Sequence, residues 1–599
     1  MMAPASEKNS PAAVAAELVD VAMGRRPAEL VFRRGKLVNV HTAEVIENTD
    51  VAVYKGRIAF VGDAGHTIGP QTERVEADGY YLVPGFLDGH IHVESSMVTL
   101  SEFARAVIPS GTVGIFMDPH EIANVLGLEG IRLLHEEGRN IPLRVFTTIP
   151  SCVPAAPGLE DAGAVIGPQE IKEAMRWEGV VALGEMMNFP GVLNNDPRTW
   201  SILAETMEAG KTITGHYALP ETAKGLPAYA AAGISSCHES TRAEDALAKL
   251  RLGMYAQLRE GSAWHDIKET IKVITEGKVD SRLCQLVTDD THPQTLIECG
   301  HLNHVVRRAI EEGVTPVEAI QMATLNTAQY YGMADKLGSI APGRYADILM
   351  IKDLSSVKVE RVYINGRLVA EEGKYKGDLP AFPYPPQAMN TVKLKDRLLP
   401  QDFFLPAPAG IKEARVRVIE VQEVSVITKA VEALLPVNNG QLQIEPGKDL
   451  AKLAVIERHR GSGSKSLALV SGFGFHSGAV ASTVAHDSHN LLIIGKDERD
   501  MALAGNILAE NGGGMIAVKD GEVIAVVPLP IAGLLSDQPV EKVKEQIAAL
   551  AAAWRTLGCS MVSGFMIMTL LSLPVIPELR LTNRGLVDVV NFEFVDLFL

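Results

Sequence analysis

The chain has 599 residues, 47% hydrophobic, 22% charged and 5% aromatic, with a formal net charge of −17. This composition is globular rather than disordered, and the length implies more than one domain, one of them large enough for a barrel. So acidic a surface repels phosphate backbones and excludes nucleic acid as a partner.

Residues 1–28 are Ala-rich and predict a helical segment without the apolar core of a signal peptide. From Leu30 the text changes to short alternating runs, LVFRRGKLVNV and DVAVYKGRIAFVG. These are β-hairpin patterns, with Lys55-Gly56 as a turn. The same texture returns in LGSIAPGRYADILMIK and VERVYINGRLVAEEGK. Each piece is short for a core of its own. Residues 29–79 and 337–378 are therefore expected to form one composite small β-sandwich domain that brackets what lies between.

Between them, over 80–336, short apolar runs alternate with helical stretches. The runs are 82–92, interrupted by a Pro84-Gly85 break, then 113–120, 144–151, 180–187, 212–217, 234–240, 253–260 and 283–290. Alternating β and α over this length predicts a (β/α)8 barrel with its active site at the C-terminal ends of the strands. An open doubly wound sheet would require a Gly-rich turn after the first strand, and none is there. A Pro-rich linker follows at 379–388, then a C-terminal α+β domain at 389–599. The fold class expected is thus α/β: a metal-dependent barrel, the small β-domain and the C-terminal domain.

Five cysteines, Cys152, Cys237, Cys284, Cys299 and Cys559, are scattered with no CxxC. That pattern fits a reducing cytoplasm. One uncharged stretch, 558–577, approaches the length of a membrane span, but its serines, Pro574 and Pro577 make it a buried helix followed by a broken loop. No membrane partner is expected.

The chemistry lies at the ends of the barrel runs. The first ends in Asp88-Gly89-His90-Ile91-His92, and alternate strand residues share a face, so His90 and His92 point the same way. A bare His-x-His is equally at home on a surface turn. Later run ends supply Asp118-Pro119-His120-Glu121, Gly184-Glu185, Gly215-His216, Cys237-His238-Glu239 and Thr288-Asp289-Asp290. Each alone reads as a satisfied core histidine or a salt-bridge partner; six converging on one mouth do not fit accident. Imidazole with carboxylate suits Zn, Mn or Fe rather than Ca or Mg alone. Two such ions need a bridging anion, for which Glu185 is suited, and Asp289 is placed to be both ligand and proton shuttle.

PGFLDGHIHVESS, DPHEIANVLG, GEMMNFPGV, TGHYALP, SSCHEST, TDDTHP, ATLNTAQYYG and LGSIAPGRYADILMI together resemble the amidohydrolase superfamily and, within it, the bacterial two-metal adenine deaminases. The resemblance spans essentially the whole chain; DPHEIANVLG and GEMMNFPGV are its most particular pieces. It implies that His90, His92 and Asp289 hold one metal, that His216 and His238 hold the other, and that Glu185 bridges them. It implies Mn or Fe, with Zn as a substitute, a cytoplasmic homodimer in purine salvage, and adenine as the small-molecule substrate. Asp289, Glu185, His120 and Glu121 are then the expected catalytic residues, and Asp118, His120, Glu121 and Glu239 the substrate-binding ones.

Two departures matter. Relatives that hydrolyse cyclic amides use a carboxylated Lys as the bridge, where GEMMN offers Glu185, which argues against a hydantoinase or dihydroorotase. Related deaminases also place a Glu soon after the fifth-strand His; here Glu221 has the wrong spacing, which leaves His120, Glu121 and Glu239 as candidates to protonate the ring. His476, His486 and His489 stay outside the core set: the run Val484-Ala485-His486-Asp487-Ser488-His489-Asn490 could line a second site or lean over the barrel mouth, but turn and capping residues in a Gly/Ser-rich loop are the favoured reading. The competing readings are an N-acetyl amino sugar deacetylase and a catalytically inactive scaffold, the latter expected to lack ligands.

Overall fold

A computed structural model describes residues 11–219, 222–262, 264–423, 425–445, 447–562 and 564–599. Glu221 lies outside the described residues. Eight parallel strands form the centre: β1 (Phe86–His92), β2 (Thr112–Met117), β3 (Arg144–Ile149), β4 (Val180–Met186), β5 (Thr212–Gly215), β6 (Ser236–Cys237), β7 (Tyr255–Arg259) and β8 (Cys284–Val287). β1 to β5 pair in chain order, as do β6 to β8. The ring closes in two places. Asp289 and Asp290 pair with Ile91 and His92 at the end of β1. Ser235 donates its N–H to the Ile213 carbonyl (3.1 Å) between the β5 and β6 arcs. Every residue of β1 and β2 is buried, as expected of barrel strands covered on both faces by helices and neighbouring strands.

The run over 82–92 is two strands. Tyr81–Pro84 pairs with Ile348–Ile351 in the small sheet, and the barrel starts at Phe86. The boundary thus falls at Gly85 rather than before residue 80. A Cβ at Gly85 would collide with the Val113 side chain, so the chain passes between the two sheets only at a residue without one.

The strands flanking the barrel join one nine-stranded sheet, in which Leu30–Asn39, Glu44–Tyr54 and Arg57–Gly62 continue through Tyr81–Pro84 to Ile348–Ile351, Val359–Ile364 and Arg367–Glu371. Lys55 and Gly56 turn one hairpin with φ of 49° and 70°, the primed turn that matches strand twist. The helix Pro11–Ala22 buries Leu18 and Val21 against Val31, Ala52 and Ala59 of this sheet.

The C-terminal region builds a second nine-stranded sheet, from Glu413–Gln422 to Glu522–Pro528, with helices Glu498–Glu510 and Val540–Leu557 packed on it. In the uncharged stretch, a short helix, Gly564–Thr569, runs into a turn, Leu570–Ser572. Among the described residues no helix is long and apolar enough to cross a membrane. This domain is fixed to the barrel: Arg105 pairs with Glu541, Lys544 with Glu298 (2.9 Å), and Ser536 donates to the Met97 carbonyl (2.8 Å).

Candidate metal centre

The barrel brings the C-terminal ends of β1, β4, β5, β6 and β8 together, and with them His90, His92, Glu185, His216, His238 and Asp289. His92 Nε2 lies 3.3 Å from Asp289 Oδ1 and 3.7 Å from Glu185 Oε1. His90 Nε2 lies 3.7 Å from Asp289 Oδ1. On the other side, Glu185 Oε2 is 2.8 Å from His216 Nδ1 and 3.0 Å from His238 Nε2, and the two ring nitrogens are 3.1 Å apart. Ligand atoms bound tetrahedrally to an ion at about 2.1 Å are roughly 3.4 Å from each other. The spacings on the His90 and His92 side bracket that value, and those on the His216 and His238 side are a few tenths of an ångström shorter.

The donor set passes a further test of fit. His90 Nε2 is buried with no hydrogen-bond partner among the described residues, which is costly unless a ligand takes its lone pair. His92 Nδ1 donates to the Asp118 carbonyl (2.9 Å), which fixes the tautomer and leaves Nε2 free to ligate. Burial opposes charge on Glu185, yet the His216 and His238 imidazoles hold its carboxyl well below the usual carboxylate range. Asp289 is likewise held well below its ordinary value against burial by His92, His238 and Arg259.

The remaining sequence-derived residues divide. His120 is at the centre, with Nδ1 3.4 Å from Glu185 Oε1. Glu239 lies 3.6 Å from His238 Nε2 and 3.9 Å from His216 Nδ1. Asp118 accepts the Glu185 N–H through Oδ2 (2.8 Å), which ties β2 to β4 beneath the bridging carboxylate. Glu121 turns elsewhere: its carboxylate lies 3.6 Å from His486 Nδ1 and 3.9 Å from His489 Nε2 of the C-terminal domain.

That last contact favours the second reading of 484–490, a segment leaning over the barrel mouth, over turn and capping residues. His486, Asp487, Ser488 and His489 are all buried, and they sit over the barrel mouth. His476 takes no part; its Nδ1 is 3.2 Å from the Ser477 hydroxyl. Sequence reasoning also missed Arg259. This buried guanidinium donates to Asp289 Oδ2 (2.9 Å), pairs with Glu239 and donates to Asp266 (2.7 Å). It ends β7, a position passed over because arginine is not a metal ligand. Glu94 and Asp290, inside motifs that carried other residues, are also buried here, and burial pushes their carboxyls up to about 7 and about 6.

Gly184 shows how tightly the bridge is set. A Cβ at this position would strike the Asp118 carboxylate that holds Glu185 in place. Gly184→Ala is expected to lower turnover by roughly 100-fold, since a small misplacement of a reacting group costs about that much. Assay and metal analysis check it; wild-type activity with full metal content would contradict the role given to this contact.

Comparison with known proteins gives two family matches: the amidohydrolase family over residues 81–369 and the adenine deaminase C-terminal domain over residues 425–593. The chain is 60% identical to an adenine deaminase of Moorella thermoacetica, with 98% of each chain covered. It is 54% identical to an adenine deaminase of Clostridium botulinum, again over 98% of each. It is 51% identical to adenine deaminase 3 of Rhizobium meliloti, over 97% of this chain and 98% of that one.

Proposed function

The chain belongs to the adenine deaminase family of amidohydrolases, and from that premise we infer that it hydrolyses adenine to hypoxanthine and ammonia. The observation that carries the reading at the level of this chain is the Glu185 carboxylate, with one oxygen toward His92 and the other between His216 and His238.

His90, His92 and Asp289 are assigned to one divalent ion, His216 and His238 to a second, and Glu185 to both. Mn or Fe is the expected metal, with Zn accepted by the same donors. When bound, the ions supply Lewis acidity that brings the pKa of water toward neutrality. The chain's own groups do the rest. Asp289 takes the proton of the attacking water and hands it to the departing amine. Arg259 keeps that carboxylate ionised and turned toward His90 and His92. Attack at C6 moves electron density onto a ring nitrogen, which an acid must protonate. His120 and Glu239 face the centre, but the Arg259 ion pair holds Glu239 as the carboxylate, so His120 is the donor assigned; Glu121, turned to His486 and His489, is not. Asp118 is a positioning residue for Glu185, with its edge-reading role reduced accordingly.

The deacetylase reading is set aside because the matched relatives and the C-terminal domain match are adenine deaminases. The inactive-scaffold reading expected missing ligands, and the six assigned here meet at one mouth. The assignment extends to a homodimer in the cytoplasm serving purine salvage; the free state of all five cysteines supports the reducing compartment, and light scattering tests the dimer. The deciding assay is ammonia release from adenine by Mn-loaded and metal-stripped protein, with cytosine, guanine and N-acetylglucosamine 6-phosphate alongside. Metal-dependent release from adenine alone is expected. Silence on adenine by metal-loaded protein would overturn the substrate.

A further inference from the structure

The C-terminal domain holds one short segment, Val484 to Asn490, against the barrel mouth, and holds it from several sides. The His489 carbonyl accepts from Arg458, Ser488 O from His459 Nε2 (2.8 Å), and His486 O from Ser572 (3.1 Å). Ala485 N–H donates to His489 Nδ1 (3.1 Å). That bond leaves His489 Nε2 carrying the proton, 3.9 Å from Glu121 Oε2 and beyond hydrogen-bond reach, so this nitrogen has no lone pair for a metal. On the barrel side, Asn490 Nδ2 donates to the Asp161 carbonyl (2.8 Å). A segment pinned this way fixes the direction of the side chain at its centre.

That side chain is Asp487. It is 2% exposed, and its Oδ1 lies 3.8 Å from His120 Nε2, on the ring edge opposite the Nδ1 that faces Glu185. Its Oδ2 has no hydrogen-bond partner among the described residues. A rigid, buried carboxylate oxygen without a donor is costly in a folded protein unless something binds there. The substrate inferred above brings a suitable donor. A free purine base carries an N–H on its imidazole ring, and a base substituted at N9 has lost that proton.

We propose that Asp487, supplied by the C-terminal domain, accepts the imidazole N–H of the purine and selects the free base over N9-substituted bases. The inference rests on the adenine reading of the site. It gives the C-terminal domain a place in substrate recognition, with the amine end of the base toward Glu185 and the imidazole end toward Asp487. A site built around one acceptor discriminates strongly against an analogue without the matching donor, because the buried acceptor is left unpaired.

The test uses full-length, Mn-loaded protein, with adenine as substrate and 9-methyladenine as competitor. For Asp487→Ala, KM for adenine is expected to rise by roughly 10- to 100-fold, the value of one hydrogen bond to a charged group, with kcat little changed. Asp487→Asn, which keeps an acceptor oxygen, is expected to fall between wild type and Ala. The inhibition constant of 9-methyladenine should stay level across the three, so the preference for adenine collapses stepwise. Equal weakening of adenine and 9-methyladenine, or a drop in kcat with lost metal, would reduce Asp487 to a structural residue and overturn the proposal. If Ala fails to fold, Asn alone decides: an unchanged preference overturns it. Wild-type protein that carries metal and leaves adenine untouched would instead overturn the adenine reading itself.

Discussion

Replacing Asp289 with Asn lowers kcat for adenine by about a thousandfold, toward the upper end of what a positioned proton-transfer group contributes. At about 1.4 kcal/mol per tenfold, that is roughly 4 kcal/mol of barrel-mouth chemistry lost with one carboxylate. The expectation follows from the double engagement of this side chain. Oδ1 faces His90 and His92 at 3.7 and 3.3 Å, while Oδ2 accepts from Arg259 at 2.9 Å. Asparagine keeps an oxygen for the imidazole side, so metal content falls only in part. It cannot carry a proton between water and amine at neutral pH. It also leaves the buried Arg259 facing Glu239 and Asp266 without its third carboxylate. Metal analysis beside steady-state kinetics separates the two effects. Near-normal turnover in this variant would remove the shuttle role from Asp289.

Replacing Glu185 with Gln is expected to cost the metal itself. Among the described residues Glu185 is the one carboxylate that contacts histidines on both sides of the centre: His92 at 3.7 Å, His216 at 2.8 Å and His238 at 3.0 Å. Its neighbours stay in place, because Asp118 still accepts the backbone N–H of residue 185. The fold should therefore survive while neither ion is well held. An ion that binds the native state at 100 times its dissociation constant stabilises it by about 2.7 kcal/mol. Wild-type protein should thus melt several degrees higher with Mn than after chelation, and Glu185→Gln should show almost none of this gain. A variant that retains two metal equivalents and the full thermal shift would place the bridge elsewhere.

Much of this centre was legible from strand-end residue types, and the reason is geometric. A parallel barrel delivers every strand's C-terminal end to one mouth, so residues as far apart as His90 and Asp289 become neighbours without any local signal saying so. The His-x-His spacing of Asp88-Gly89-His90-Ile91-His92 still brings both imidazoles to Asp289, although the pairing of β1 with β2 is irregular between Asp88 and Ile91. Three things were not legible. Arg259 was missed because a search for ligand types passes over cations. The Pro84-Gly85 break was legible, but not that Tyr81–Pro84 leaves the barrel for the small sheet, because hydropathy does not register which sheet a strand joins. The docking of His486, Asp487 and His489 over the barrel mouth ranked behind an ordinary turn because the contacts connect elements more than 360 residues apart in the chain. No periodicity reports a domain docking onto a loop. What the sequence offered there, a His- and Asp-bearing run among Gly and Ser, is also the composition of an ordinary turn.

The small sheet also sets an order of events during synthesis. Tyr81–Pro84 is hydrogen-bonded on one side by Ile348–Ile351, and that partner lies beyond the whole barrel in the chain. At common ribosomal rates of about 5–20 residues per second, the wait between residues 84 and 351 is roughly 15–50 s. Throughout that interval the nascent chain presents an open, apolar strand edge, the kind of template on which neighbouring chains add. The emerging polypeptide is thus most exposed to mispairing while the barrel is already half translated, and a chaperone that shields the edge until Ile348–Ile351 emerges would raise the yield of native protein without touching the active site.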